Sequence, residues 1–145
     1  MMDHAIHDIS KTVGPQAALI YAMVTTSAAD RDISDTELRM MTEIVRTLPI
    51  FKGFSADALA GVAQTCGEIL ATDEGLETIL EIINGALPQK LRETAYALAV
   101  DIVACDGDVH QEELRMLEIL RHGLEVDRLV AAAIERGAKA RFAHL

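Results

Sequence analysis

Apolar side chains recur every three or four residues along most of the chain, and short polar segments separate these stretches. Such spacing places apolar side chains on one face of a helix, whereas no stretch shows the strict alternation typical of a half-buried strand. Pro15, Ser34, Ser55 and Pro88 are residues that commonly begin helices. The pattern predicts an all-α fold of about seven helices, preceded by a short helix over residues 3–12.

The same periodicity predicts which side chains are buried. On the second, sixth and seventh helices the predicted buried residues are Leu38, Met41, Val45, Leu48, Leu114, Leu117, Leu120, Leu124, Leu129, Val130, Ala133 and Ile134. Phe51 and Phe54, in the connector after the second helix, are expected to fill the core. Gly61 and Gly67 are expected to let a neighbouring helix approach closely, because glycine has no side chain.

One acidic segment occurs twice, and a constant offset of 76 residues superposes the copies without a gap. Residues 29–40 and 105–116 share an Asp-x-Asp pair followed by Glu-Leu-Arg. An apolar segment precedes each copy and an amphipathic one follows it, so each is predicted to form a corner between two helices. The expected organisation is a single domain, 1–145, in which two pseudo-symmetric helix-corner-helix units, about 15–51 and 88–127, are joined by a central helical pair.

Most of the net negative charge lies in these two corners, which we define as residues 30–37 and 106–113. They carry −7 of the formal net charge of −10. A phosphate backbone would be repelled there, so nucleic-acid binding is not expected. A cation or the basic surface of a protein partner would be attracted.

Segment lengths and cysteine usage bear on the compartment. No segment approaches the roughly 18 consecutive apolar residues of a membrane span, and the N-terminus lacks the pattern of a signal peptide. Cys66 and Cys105 each fall on an apolar helical pattern and are expected to be buried thiols. These features predict a cytoplasmic protein with no integral membrane segment.

Part of each corner has a purely structural explanation. Ser34 and Glu37 have the spacing of a capping box, and Ile33 and Leu38 take the staple positions on either side of the cap. The helix dipole also favours acidic residues in a first turn. For Glu37 and Glu113 two interpretations therefore stay open, a structural role alone and a structural role combined with ligand binding.

Asp30 and Asp106 are harder to explain structurally. Each follows the end of a predicted helix, where the dipole disfavours a carboxylate by about 0.3–1 kcal/mol. A second aspartate, Asp32 or Asp108, stands two residues later and adds like-charge repulsion. A hard divalent cation such as Ca²⁺ would offset this repulsion, although an exposed and screened pair would also survive without a ligand. The spacing lacks the glycine and glutamate of an EF-hand loop, so a site would have to pool the aspartates of both corners.

The corners differ at two positions. Gly107 suits a left-handed turn after a helix, whereas Arg31 would be strained in that conformation. His110 stands where the first corner has Ser34, and an imidazole beside Asp106 would admit Zn²⁺; the alternative is a surface histidine stabilised by nearby acids. The candidate metal ligands are thus Asp30, Asp32, Glu37, Asp106, Asp108, His110 and Glu113.

Known catalytic motifs are missing from the sequence. It contains no glycine-rich phosphate loop, no nucleophile elbow, no HExxH and no Glu-x-x-His. An enzyme is therefore not expected.

Both corners resemble the signature of the tellurite-resistance TerB family. The matching segments read A-D-x-D-I-S-x-x-E-L from Ala29 and A-C-D-G-D-V-x-x-x-E-L from Ala104, and the likeness extends through the connector at residues 48–57 to cover about residues 15–135. The resemblance implies an all-α fold of about seven helices with internal pseudo-twofold symmetry. It also implies a cytoplasmic bacterial stress-response protein with an acidic surface that binds a divalent metal ion.

Two functional hypotheses follow. The first is a non-enzymatic TerB-like protein that binds a divalent cation, Ca²⁺ or Zn²⁺, or the basic surface of a protein partner through its two corners. The alternative is a metal-independent protein-interaction module, related to the TerB-like domain of DnaJ-type co-chaperones. Either is compatible with a homodimer.

Overall fold

Seven α-helices follow one another in the computed structural model, which describes residues 13–29, 33–107 and 109–145. They are α1 (Pro15–Ala28), α2 (Asp35–Thr47), α3 (Leu59–Leu70), α4 (Gly75–Ala86), α5 (Gln89–Ala104), α6 (Gln111–Gly123) and α7 (Arg128–Arg141), with short 3-10 helices at Pro49–Phe51 and Ala56–Ala58. The described part of the chain contains no strand. The all-α prediction is confirmed, while the short helix predicted over residues 3–12 lies outside the described residues.

Helix α1 lies at the centre of the molecule. Every residue from Ala18 to Ser27 is buried, and the helix packs against α3, α4 and α5. A helix that is apolar on all sides must be covered on all sides, which the alanine-rich sequence allows because small side chains let neighbours approach. Neither α1 nor any other helix in the described residues has both the length and the apolarity needed to cross a membrane.

Helices α3 and α7 pack on the first helices of the two repeats. Helix α3 packs on α1, and α7 packs on α5 in the corresponding way. Helix α4 packs on α3, so these two form the central pair that the sequence predicted, and α4 also lies against α1.

Three predicted core leucines are exposed instead. Leu38 and Leu114 keep 45% and 49% of their surface, and Leu129 keeps 81%. Helices α2 and α6 meet the core through Met41, Val45, Leu117 and Leu120, one turn or more beyond the exposed positions. Helix α7 meets α5 through Ala131 and Ala138 rather than through Leu129 or the exposed Ala133. A helix buries only the stripe of side chains that faces its neighbour, and the sequence pattern predicted a wider stripe than the one that is buried.

Phe51 fills the core as predicted, whereas Phe54 is only partly buried against it. Their ring centroids lie 6.0 Å apart in an edge-to-face arrangement. The prediction for Gly61 and Gly67 was wrong, because a Cβ at either position would meet nothing within 4 Å. Close approach occurs instead at Gly75, where a Cβ would overlap the carbonyl oxygen of Ile69.

Candidate functional site

The two corners are the boundaries between α1 and α2 and between α5 and α6. Gly107 has φ of +81°, the left-handed conformation predicted for it. Asp106 is exposed and lies two residues beyond the end of α5, as predicted. The predictions for Asp30, Arg31, Asp32 and Asp108 concern positions outside the described residues and remain predictions.

Glu37 joins the end of α1 to the start of α2. The Ser34 backbone N–H donates a 2.9 Å hydrogen bond to Glu37 Oε1, and the Glu37 N–H donates one of 3.1 Å to Ser34 Oγ, which confirms the capping box. The Ser27 hydroxyl, at the end of α1, donates to Glu37 Oε2 at 3.3 Å. Glu37 is only 4% exposed, so it is a buried carboxylate that holds the first corner together.

Glu113 has the equivalent position in the second corner. The His110 backbone N–H donates a 3.1 Å hydrogen bond to Glu113 Oε1, and Glu113 is 2% exposed. The residue that corresponds to Ser27 at the same offset is Val103, which has no hydroxyl to donate. The second corner therefore buries the equivalent carboxylate, that of Glu113, in less polar surroundings.

The helices on either side of the two corners pack across the repeats. Helix α2 lies against α5, and α6 lies against α1, so the second helix of each repeat touches the first helix of the other. Burial raises the pKa of Glu113, and the negative charges of Glu37 and Asp106 raise it further. The His110 N–H bond and the nearby His110 imidazole act in the opposite direction. The negative charge of Glu37, in the first corner, therefore acts on the buried Glu113 of the second corner.

Cys105 belongs to the same cluster. Its thiol is half-buried and donates a 3.2 Å hydrogen bond to the Ile102 carbonyl. Burial and the charges of Asp106, Glu37 and Glu113 raise its pKa to about 11, so it is protonated at neutral pH. Cys66 is fully buried, as predicted, and burial raises its pKa to about 12.

The described residues alone do not make a coordination sphere. Among residues 13–29, 33–107 and 109–145, no three or more Asp, Glu, His or Cys side chains are grouped so that they could hold a metal ion. Both oxygens of Glu37 accept hydrogen bonds, which fixes its orientation. His110 is exposed at the N-cap of α6. Carboxylate oxygens, which both repeats carry, are nevertheless the ligand atoms that a hard cation prefers.

The raised pKa of Glu113 predicts a pH dependence of stability. Because folded Glu113 holds its proton more tightly than the unfolded chain does, its contribution is fully present below the ordinary glutamate pKa of about 4.3. That contribution is lost as pH rises through the raised value. Glu113→Gln keeps an acceptor for the His110 N–H and carries no charge, so the variant should lose this fall in stability. Chemical unfolding measured from pH 4 to pH 8 tests the expectation.

At pH 7, without added metal, Glu113→Gln should therefore unfold at a higher denaturant concentration than the natural protein. Glu112→Gln is the matched control, since Glu112 is an exposed residue of the same helical turn. If the free energy of unfolding depends on pH in the same way in the two variants, the charge of Glu113 does not destabilise the folded protein.

Sequence reasoning missed Ser27. Thr25, Thr26 and Ser27 are all fully buried, and the two threonine hydroxyls donate to carbonyls of their own helix, those of Tyr21 and Met23. Ser27 reaches Glu37 on α2, and the Thr25 hydroxyl also lies 4.0 Å from Cys66 Sγ on α3. The available signal was a run of three hydroxyl residues at the end of an otherwise apolar helix.

A comparison with models of protein families matches residues 16–136 to the family described as "Tellurite resistance protein TerB". No curated protein and no solved structure matches the chain. The matched range includes both corners and all of α2 to α6. The family match and the seven-helix fold with a duplicated acidic corner agree, and the chain belongs to the TerB family.

Proposed function

We propose that this TerB-family chain is a non-enzymatic protein that binds a divalent cation where its two acidic corners meet. The observation that carries the proposal is a pair of buried glutamates, one from each repeat, in which the negative charge of Glu37 helps to raise the pKa of Glu113. Two buried carboxylates of like charge oppose folding unless a positive charge offsets them. A cation bound between the corners would supply that charge.

Aspartates of both corners are the proposed ligands. Asp106 at the end of α5, together with Asp30, Asp32 and Asp108, would supply oxygen atoms, and water would complete the coordination. Glu37 and Glu113 would lie beneath these ligands, orienting both corners through their bonds to backbone N–H groups. Oxygen donors favour Ca²⁺, while the His110 imidazole favours Zn²⁺ if it joins the set.

Calorimetric titration of chelator-treated protein with Ca²⁺ and, separately, with Zn²⁺ tests the proposal. One of the two metals should bind saturably and raise the melting temperature, since a ligand at 100 times its Kd stabilises a protein by about 2.7 kcal/mol. The double variant Asp106→Asn/Asp108→Asn should lose most of that rise. Asp57→Asn/Asp73→Asn is the matched control, because both residues are exposed and lie outside the corners. A melting curve that neither metal changes would refute cation binding.

A second candidate is a metal-independent interaction module, in which the corners attract the basic surface of a protein partner. The observation in its favour is that Ile33, Leu38, Val109 and Leu114 expose 38–49% of their surface beside the acidic residues. Exposed apolar side chains that are bordered by charged residues are typical of protein interaction sites. Partner binding that weakens with salt but ignores EDTA would favour this candidate over the first. Our proposal for this TerB-family chain also includes a role in bacterial stress response and a cytoplasmic location.

A further inference from the structure

Residues 142–145, which follow α7, form a C-terminal tail that reaches the second corner. The Phe142 N–H donates a 3.0 Å hydrogen bond to the Ala138 carbonyl, and the Phe142 side chain packs against the core, so the tail starts from a fixed position. Two residues later the His144 ring lies against Gly107, where an added Cβ would be 3.0 Å from His144 Cε1. The tail therefore connects the end of α7 with the turn that follows α5.

Gly107 has the backbone conformation and the free space that this contact needs. Its φ of +81° lies in the left-handed region, and its N–H donates a 3.2 Å hydrogen bond to the Ala104 carbonyl at the end of α5. Since an added Cβ would be only 3.0 Å from the His144 ring, a side chain there would push the ring away. The equivalent position of the first repeat is Arg31 in the sequence, so only the second corner has a glycine on which the tail can pack.

The tail and the second corner line the same end of an apolar groove. Helices α6 and α7 both pack on α5 but make few contacts with each other, and the space over α5 has a volume of about 690 Å³. Its lining begins at Tyr96 on α5 and continues to Gly107 and Val109 of the second corner, and Phe142 and His144 of the tail line it as well. Displacement of the tail would therefore widen this end of the groove.

Negative charge at the second corner acts on the turn that holds the tail. Asp106 directly precedes Gly107 in this turn and is exposed. The charges of Glu37 and Asp106 both act on the buried Glu113, so repulsion between like charges opposes this arrangement of the corner. A divalent cation bound at Asp106 would offset the repulsion and favour the backbone conformation on which His144 packs.

We propose that a cation bound at the second corner holds the C-terminal tail against Gly107, so that the cation decides whether the tail closes this end of the groove. The inference rests on the cation binding proposed above. A ligand shifts a conformational equilibrium only by as much as it prefers one of the two states, and here it prefers the turn that carries the tail. Linkage is reciprocal, so the tail packed on Gly107 must raise the affinity for the cation by the same factor.

Calorimetric titration of the chelator-treated full chain with Ca²⁺ and, separately, with Zn²⁺ measures this factor. His144→Ala removes the ring and should weaken binding of the cation by about fivefold or more. His144→Phe keeps a ring against Gly107 but has no side-chain nitrogen that could ligate a metal, so its affinity should stay within about twofold of that of the natural chain. His122→Ala is the matched control, because His122 is also exposed but lies on α6 outside the lining of the groove.

Backbone ¹⁵N relaxation reports on the tail itself. Saturation with the metal should raise the order parameters of residues 142–144 from about 0.6 or less to about 0.85, the value of rigid backbone. In His144→Ala the metal should shift the signals of Asp106 and Gly107 but leave the order parameters of the tail low, whereas His144→Phe should behave as the natural chain does. Both variants should fold, because His144 is exposed.

Two results would overturn this inference while leaving cation binding intact. One is an unchanged affinity in His144→Ala together with a tail whose order parameters do not respond to the metal. The other is an equal loss of affinity in His144→Ala and His144→Phe, which would make the imidazole a metal ligand instead. If neither metal binds the natural chain, the proposed function fails, and the inference that rests on it fails as well.

Discussion

Leu19→Ala is expected to lower the free energy of unfolding by about 3–4 kcal/mol, the largest effect of any single change considered. Leu19 is fully buried in α1, the helix on which α3, α4 and α5 pack. Its removal leaves a cavity that three neighbours would have to move to fill, so little relaxation is expected. Denaturant unfolding followed by circular dichroism gives the measurement.

Leu129→Ala is the control for that prediction, because it removes the same atoms from a side chain that is 81% exposed. Its cost should stay within about 0.5 kcal/mol. The sequence pattern placed Leu129 in the core, so the pair of variants also separates the sequence expectation from the structure. Similar losses in the two variants would mean that α1 is not the central helix.

Glu37→Ala should lower the free energy of unfolding by about 2 kcal/mol, the second largest effect. The change removes the acceptor of the Ser34 N–H and of the buried Ser27 hydroxyl, and a buried polar group left without its partner costs about 1–3 kcal/mol. Loss of the capping box adds to this, while relief of the repulsion with Glu113 subtracts from it. Equilibrium unfolding at pH 7 in EDTA measures the sum.

Glu37→Gln separates hydrogen bonding from charge. The amide oxygen can accept from the Ser34 N–H, so most of the loss seen in Glu37→Ala should be recovered. Asp35→Ala, in the same turn but exposed, should cost far less than Glu37→Ala. If Glu37→Ala is no more costly than Asp35→Ala, Glu37 does not hold the corner together.

These expectations connect stability to the proposed function. The bonds of Glu37 stabilise the first corner, whereas the charge of Glu113 is placed where burial and its neighbours penalise it. Glu113→Gln should therefore stabilise the metal-free protein yet weaken any cation bound between the corners. A binding site whose charged residues destabilise the fold should show this combination, namely higher stability without metal and weaker cation binding in the same variant.

Local chemistry explains how much of this protein could be predicted from its sequence. The starts of α1 and α2 follow from Pro15 and from the Ser34 and Glu37 spacing, because capping involves residues only three apart. The turn at Gly107 follows from its freedom to adopt positive φ. The duplication was visible because both corners kept the same spacing of acidic and apolar residues.

Side-chain burial was predicted less well, because it depends on which neighbour a helix meets. Leu38 and Leu114 have the spacing of core residues, yet both remain half-exposed where no helix covers them. The acidic residues show the reverse, since Glu37 and Glu113 looked like ordinary first-turn acids and are among the most deeply buried polar groups. Periodicity shows on which side of a helix a residue lies. It does not show whether another helix or solvent faces that side.

The sequence by itself determined about seven helices, the capping box of α2 and a repeated acidic segment, since each of these depends on residues a few positions apart. Only the tertiary structure decided that the charge of Glu37 acts on Glu113, because that interaction needs α2 to lie on α5 and α6 on α1 across the two repeats. A groove lined by α5, α6 and α7 has the same origin, since α6 and α7 both pack on α5 and make few contacts with each other. Contacts between residues tens of positions apart arise from the packing of whole helices, and no local pattern encodes them.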